Sequence, residues 1–296
     1  MPFYSPLRYP GGKRKLSGFV KLIHKCNSLV PVHYVEPYAG GAAIALALLF
    51  DGYASHIHMN DLSRSVYAFW YCVLYATEDL CRRIERSPVN MAEWYRQREV
   101  QDHAAEASLM DLGFSTFFLN RTNRSGIITG GVIGGKEQNG SYKLNARFNA
   151  ENLVERIRRV AAHREQISVY NEDASEFVSG IMPQLPRKSF LYLDPPYYSK
   201  GRKLYTNQYR HGDHERLAEL VTSINRPWLV TYDYAPEIVH MYRRYRHISY
   251  HLNYSAAARY GGTEVMFVSD GLSIPEVDSP VRVDCCPMIR PCGNLP

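Results

Sequence analysis

The chain has 296 residues, 45% of them hydrophobic and 22% charged, which excludes disordered and collagen-like classes and leaves ample material for a core. Its longest apolar runs, Ala42 to Phe50 and Val66 to Ala76, are too short to cross a bilayer, and no apolar signal core follows the early basic residues. Lys and Arg number 35 against 29 Asp and Glu, a net charge of +6, and 23 tyrosines outnumber 11 phenylalanines.

In chain order, the N-terminal stretch to residue 35 is basic and free of acids. Tyr34 to Tyr38 then reads as a short buried strand ending in a turn, followed by Ala39-Gly40-Gly41 and a strong helix former from Ala42 to Phe50. His56 to Asn60 is a second strand ending at Asp61, and Ser63 is placed to cap a helix running to Ala76. This β-α-β opening recurs later. Val169 to Asn171 leads to Glu172-Asp173, and Phe190 to Leu193 leads to Asp194-Pro195-Pro196-Tyr197. A helix from His214 to Ile224 precedes a strand from Trp228 to Tyr232. Alternating strands and helices predict a parallel α/β sheet.

The middle is more polar, with helices expected around Met91 to Leu109 and Asn152 to Arg164. Between them, Ser125 to Tyr142 is Gly-rich and lacks periodicity, as functional or mobile segments often do. Lys143 to Phe148 is a candidate second arm of a hairpin. The expected organisation is a catalytic and cofactor-binding domain from 1–80 and 165–274, an insert at 81–164, and a C-terminal tail at 275–296 that reads as an extension or as loosely packed. Cys26, Cys72 and Cys81 stand singly, and Cys285, Cys286 and Cys292 lack a second cluster for a tetrahedral zinc site, so no metal is expected.

Charge is concentrated in blocks. Arg121, Arg124 and Lys136 fall in the acid-free run from Leu112 to Lys136, and Lys200, Arg202, Lys203 and Arg210 in that from Tyr198 to His211. Basic blocks neutralise phosphates and aromatic rings stack on unpaired bases, although solvated surface and core tyrosines give the same composition.

Three constellations are candidates for chemistry, each with a plainer alternative: a Gly-rich packing turn with a solvent-exposed strand-end Asp, an ordinary basic N-terminal turn, and a strand ending in a proline turn. Tyr38-Ala39-Gly40-Gly41-Ala42, at a strand-to-helix junction, lets a ligand approach the backbone, and Asp61 at the next strand end suits ribose hydroxyls. Tyr9-Pro10-Gly11-Gly12-Lys13 lacks phosphate-loop spacing and reads as a loop offering a cation to a carboxylate. Asp194-Pro195-Pro196-Tyr197 follows an apolar strand, at the sheet end where α/β folds bind ligands. Asp194 and the Pro195 carbonyl are two acceptors for an exocyclic amino group, and Tyr197 offers a flat face to a base.

Leu7 to Lys13, Tyr34 to Gly41, Asn60-Asp61 and Asp194 to Tyr197 occur in the order seen in Dam-like adenine-specific DNA methyltransferases, which the chain resembles from about residue 5 to 270. Phe117-Phe118-Leu119-Asn120-Arg121 also looks like the entry to that family's recognition region. The resemblance implies a Rossmann-like S-adenosylmethionine-dependent sheet with an inserted, mostly helical DNA-recognition domain. It implies that Tyr9, Lys13, Glu36, Gly40, Asp61, Asp173 and Asp194 shape the cofactor pocket, with Lys13 near the cofactor's carboxylate. It also implies that Asp194, Pro195 and Tyr197 act on an adenine flipped out of double-stranded DNA. Arg121, Arg124 and Lys143 are then expected to contact DNA. The enzyme is expected in the cytoplasm, bacterial or phage-encoded, and whether a cognate restriction nuclease is a further partner stays open. After Arg121 the sequence departs from the family pattern, so no target sequence carries over. Methylation of cytosine N4 or RNA adenine, and a catalytically silent DNA-binding role, stay open at this stage.

Overall fold

A computed structural model of the chain describes residues 3–9, 13–199, 209–254 and 260–285. Seven strands make one sheet: β1 (Val32–Glu36), β2 (Ala54–Asn60), β3 (Ile167–Tyr170), β4 (Ser189–Leu193), β5 (Trp228–Asp233), β6 (Arg246–Tyr254) and β7 (Tyr260–Val268). The described helices are α1 (Ser17–Cys26), α2 (Ala43–Phe50), α3 (Arg64–Tyr75), α4 (Thr77–Arg86), α5 (Met91–Asp102), α6 (Leu109–Thr122), α7 (Ala150–Ala161), α8 (Ala174–Ile181), α9 (His211–Ser223) and α10 (Pro236–Met241).

The strand order is β3-β2-β1-β4-β5-β7-β6, with β7 antiparallel to both neighbours and the other pairs parallel. This is the expected Rossmann-like α/β sheet, and the reversal of strand order lies between β1 and β4. Every residue of β4 and β5 is buried, because a parallel sheet covered on both faces has no solvent side.

Alternation along the strands sorts the core into two layers. Tyr34, Phe190, Tyr192, Leu229 and Met266 point to one face, with Phe19 of α1, Leu46 of α2 and Phe69 of α3. Val35, Leu191, Val230, Tyr232 and Phe267 point to the other, with Phe177 of α8, Leu217 of α9 and Ile238 of α10. Helix α2 is apolar all round and buried from Ile44 to Leu49, whereas α7 buries only Leu153, Val154, Ile157 and Val160.

The stretch expected as one helix from Met91 to Leu109 divides into α5 and the start of α6, where Ser108 accepts the Asp111 N–H at 3.1 Å. Trp94, Phe114, Phe117, Leu153 and Ile157 join the same core as Leu46 and Phe69.

Two expectations need correction. Lys143 to Phe148 is no hairpin arm: Leu144–Arg147 is a 3-10 turn, and the only described bridge of the Gly-rich segment joins Asn123 to Val132. Gly134 and Gly135 have φ of 88° and 80°, conformations that end a strand. The Gln138 side chain organises the loop instead, donating to the Ile133 and Gly135 carbonyls and accepting from the Leu144 N–H. The described part of the tail is also not loose. Pro280 is buried, Val281 and Val283 pack on the core, and Cys285 Sγ lies 3.1 Å from the Tyr53 hydroxyl. Pro10 to Gly12, the block from Lys200 to Lys203, and Cys286 and Cys292 lie outside the described residues.

Candidate active site

The carboxyl ends of the parallel strands converge on the reversal point, and each carries an acid. Glu36 ends β1, Asp61 follows β2, Asp173 lies beyond β3 and Asp194 follows β4. Continuing the alternation Phe190, Tyr192, Asp194 puts the last carboxylate on the face that holds Tyr34.

Asp194 is anchored through one oxygen. Its Oδ1 accepts from Lys13 Nζ at 2.8 Å and from Thr231 Oγ1 at 2.9 Å. Lys13 also donates to the Tyr197 hydroxyl at 3.2 Å and pairs with Glu264 Oε2 at 3.3 Å. Tyr197 in turn donates to Glu264 Oε1 at 3.0 Å, and Tyr250 donates to Oε2 at 2.7 Å. Behind the motif, Asp233 accepts the Tyr198 and Ser199 N–H groups at 2.8 and 3.0 Å, which fixes the chain leaving Tyr197.

Electrostatics follow from burial. The Lys13 side chain is 2% exposed and Glu264 fully buried, so two carboxylates share one ammonium out of contact with water. Burial works against the lysine's charge, but Asp194 and Glu264 outweigh it and hold its pKa well above the ordinary value. Burial raises Asp194 above the ordinary carboxylate range, Lys13 pulls it back, and Glu264 pushes it up again. Glu36 is raised strongly by burial and by Asp194, and its Oε2 accepts the Ala45 N–H at 3.3 Å, near the start of α2.

The glycine turn lies beside this cluster. Gly40 has φ of 46°, and a Cβ there would come within 2.6 Å of the Tyr9 ring, so only glycine lets that ring lie on the turn. Asp61 ties the turn to β2: Oδ2 accepts the Gly40 N–H and Oδ1 the Ser63 N–H, both at 2.9 Å. Burial raises its pKa to about 6 against the pull of those two donors. Asp173 caps α8, accepting the Ser175 N–H at 2.8 Å.

The structure thus brings Tyr9, Gly40 and Asp61 together around the turn, and Lys13, Asp194 and Tyr197 around the acceptor. The Lys13 ammonium lies on the two carboxylates. The local motifs missed Thr231, Asp233, Tyr250 and Glu264. Glu264 had one signal, an acid opening the apolar run Val265 to Val268, which a solvated strand end imitates.

A second basic cluster lies next to Tyr9. Asn120 accepts the Arg8 N–H at 2.8 Å and donates to the Arg8 carbonyl at 2.6 Å and the Gly126 carbonyl at 2.8 Å. This clamp brings Arg8 beside Arg121, whose Nε donates to the Arg147 carbonyl at 2.9 Å. Burial, then repulsion from Arg8, Arg156 and Arg147, pushes the Arg121 pKa down to about 9. No described carboxylate forms a salt bridge with these four arginines. Arg124 and Lys143 are exposed, and Lys143 Nζ donates to the Gln138 carbonyl.

A family model for D12 class N6 adenine-specific DNA methyltransferases matches residues 9–256, most of the chain. The chain belongs to that family. The match takes in Tyr9, Lys13, Asp61 and the whole Asp194 to Tyr197 motif. A search of curated proteins returned no match. Membership makes this a DNA-modifying enzyme with adenine N6 as its class of target. Among the described residues no helix is long and apolar enough to cross a membrane, and no group of three His, Cys, Asp or Glu could hold a metal.

Proposed function

We propose that the methyltransferase moves a methyl group from S-adenosylmethionine to N6 of an adenine flipped out of a short double-stranded DNA sequence. The observation that carries this reading is the asymmetry of Asp194. Lys13 and Thr231 both hold Oδ1, while no described residue donates to Oδ2, and the side chain is 20% exposed. A half-buried carboxylate with one oxygen fixed and the other turned out of its network is an acceptor prepared for an amino group.

The turn fits the cofactor. Asp61 keeps lone pairs beyond its two backbone donors for ribose hydroxyls, and Gly40 allows backbone approach. Leu62, apolar yet 46% exposed next to Asp61, offers a surface for a purine ring. Tyr9 would cover the pocket, Glu36 would line it, and Asp173 would border it beyond β3. When bound, the cofactor supplies an electrophilic methyl on a sulfonium. The adenine amino lone pair is delocalised into its ring, so the nitrogen is a weak nucleophile. Hydrogen bonds from its two N–H groups to Asp194 Oδ2 and the Pro195 carbonyl favour a more tetrahedral nitrogen and align its lone pair, and the proton the nitrogen loses on methylation leaves through the Asp194 carboxylate. Tyr197 stacks on the base, offsetting about 1–3 kcal/mol of its unstacking.

Residues 81–164 act as the target-recognition part in this reading. The four arginines, paired with no described carboxylate, form a site for backbone phosphates, with Arg121 at its centre and Arg124 and Lys143 exposed in the following loop.

The experiment is nucleoside mass spectrometry of DNA and RNA incubated with the purified enzyme and S-adenosylmethionine. Methyladenine in a fixed DNA context is expected; methylcytosine alone, methylated RNA alone or no product overturns the reading. Asp194→Ala should abolish methylation while DNA affinity stays within about threefold of wild type, because Glu264 still pairs Lys13. Near-normal turnover in that variant would remove Asp194 from the chemistry.

A further inference from the structure

Glu264 is a fully buried carboxylate on β7 that the methyl-transfer chemistry above does not use. Strand register brings it there: β7 pairs Glu264 with Asp233 of β5 on one side and with Tyr250 of β6 on the other. Its two oxygens serve different partners. Oε1 accepts from the Tyr197 hydroxyl at 3.0 Å, while Oε2 accepts from Tyr250 at 2.7 Å and pairs with Lys13 at 3.3 Å.

Each contact has a consequence for the pocket. The Tyr197 ring is held at both ends: its hydroxyl by Glu264 and Lys13, and the chain just beyond it by Asp233. A ring fixed in this way, 5% exposed, has little left to order when a base arrives. The Lys13 ammonium, shared between Glu264 and Asp194, leaves Asp194 only partly neutralised. Without Glu264 the whole cation would fall on Asp194 and weaken it as an acceptor. Lys13 also lies 4.9 Å from the centre of the Tyr197 ring, so its placement affects both parts of the pocket.

We propose that Glu264 is a positioning residue for methyl transfer: it holds the Tyr197 ring and the Lys13 ammonium in place, so that the ring and Asp194 Oδ2 together receive the target adenine. This rests on the reading of Asp194 and Tyr197 as the base pocket.

Glu264→Gln keeps the size of the side chain and removes its charge. The expected result is a fall in kcat of about tenfold or more, with KM for DNA within about threefold. In DNA carrying 2-aminopurine at the target position, fluorescence in the complex should exceed that with wild type, because a loosened Tyr197 stacks and quenches less. The acid limb of the kcat profile should move to lower pH, since Glu264 is one of the charges that raise Asp194. Tyr250→Phe, which removes only the hydroxyl on Oε2, should shift kcat and fluorescence the same way by less and should not move the acid limb to lower pH, because the Glu264 charge remains. A purely structural role would lower the amount of folded protein and leave the acid limb and the fluorescence unchanged, and that result overturns the proposal. Wild-type enzyme that makes methyladenine beside an unaltered Glu264→Gln variant defeats this inference alone. Wild-type enzyme that makes none defeats the pocket reading beneath it.

Discussion

Asp61 shows how one side chain carries both structure and titration. It joins the glycine turn to β2 through two backbone N–H groups, and burial raises its pKa to about 6. The sign follows from linkage: a carboxyl raised in the folded state favours folding fully below its ordinary value near 3.8, and that contribution is lost as pH climbs past about 6. In the proposed reading Asp61 holds the ribose hydroxyls, and its ionised form accepts them better, so S-adenosylmethionine should bind more weakly as pH falls through about 6. Calorimetric titration between neutral and mildly acidic pH checks this against Asp61→Asn, which should lack the dependence; parallel curves would exclude Asp61 as its source. Asp61, Lys13 and Asp194 were legible in the sequence because each belongs to a local motif with its own turn or strand end. Glu264, Tyr250, Thr231 and Asp233 were not. Their roles come from pairing between strands, and no spacing along the chain encodes that register.

At the scale of elements, the strongest local patterns read correctly. The apolar α2, the buried β4 and β5 and the amphipathic α7 each announce themselves by composition or period. The β6–β7 hairpin was missed, since Tyr, His and Asn interrupt β6 and two glycines open β7. The Gly-rich loop looked unstructured because its order comes from one Gln138 side chain and from glycines with positive φ. The Asn120 clamp is the clearest link between elements: from the last turn of α6 it holds both backbone groups of Arg8. Asn120→Ala should cost about 1–3 kcal/mol by leaving buried backbone groups unpaired. Chemical denaturation measures that cost. DNA affinity should fall as well, because Arg8 is then no longer fixed beside Arg121. A variant as stable as wild type would show that the segment needs no clamp.

For the whole molecule, a net charge of +6 says less than where the charge converges. Arg8, Arg121, Arg147 and Arg156 come from four separate segments, and their mutual repulsion on Arg121 is borne in the absence of any paired acid among the described residues. Replacing Arg147 and Arg156 by Gln should weaken binding to any DNA sequence about equally. The slope of log K against log salt should become shallower by about 0.9 for each phosphate that is no longer neutralised. An unchanged slope would place the phosphates elsewhere. The sheet order has another consequence, for how the protein comes into being. The chain's last described strand, β7, inserts between β5 and β6, so the partner of Lys13 on Glu264 emerges from the ribosome long after Lys13 itself. Until then the lysine and Asp194, 181 residues apart, have no second carboxylate to complete their network. The network proposed to position Tyr197 and Lys13 is therefore completed only by this long-range strand pairing, the slow kind of event in folding.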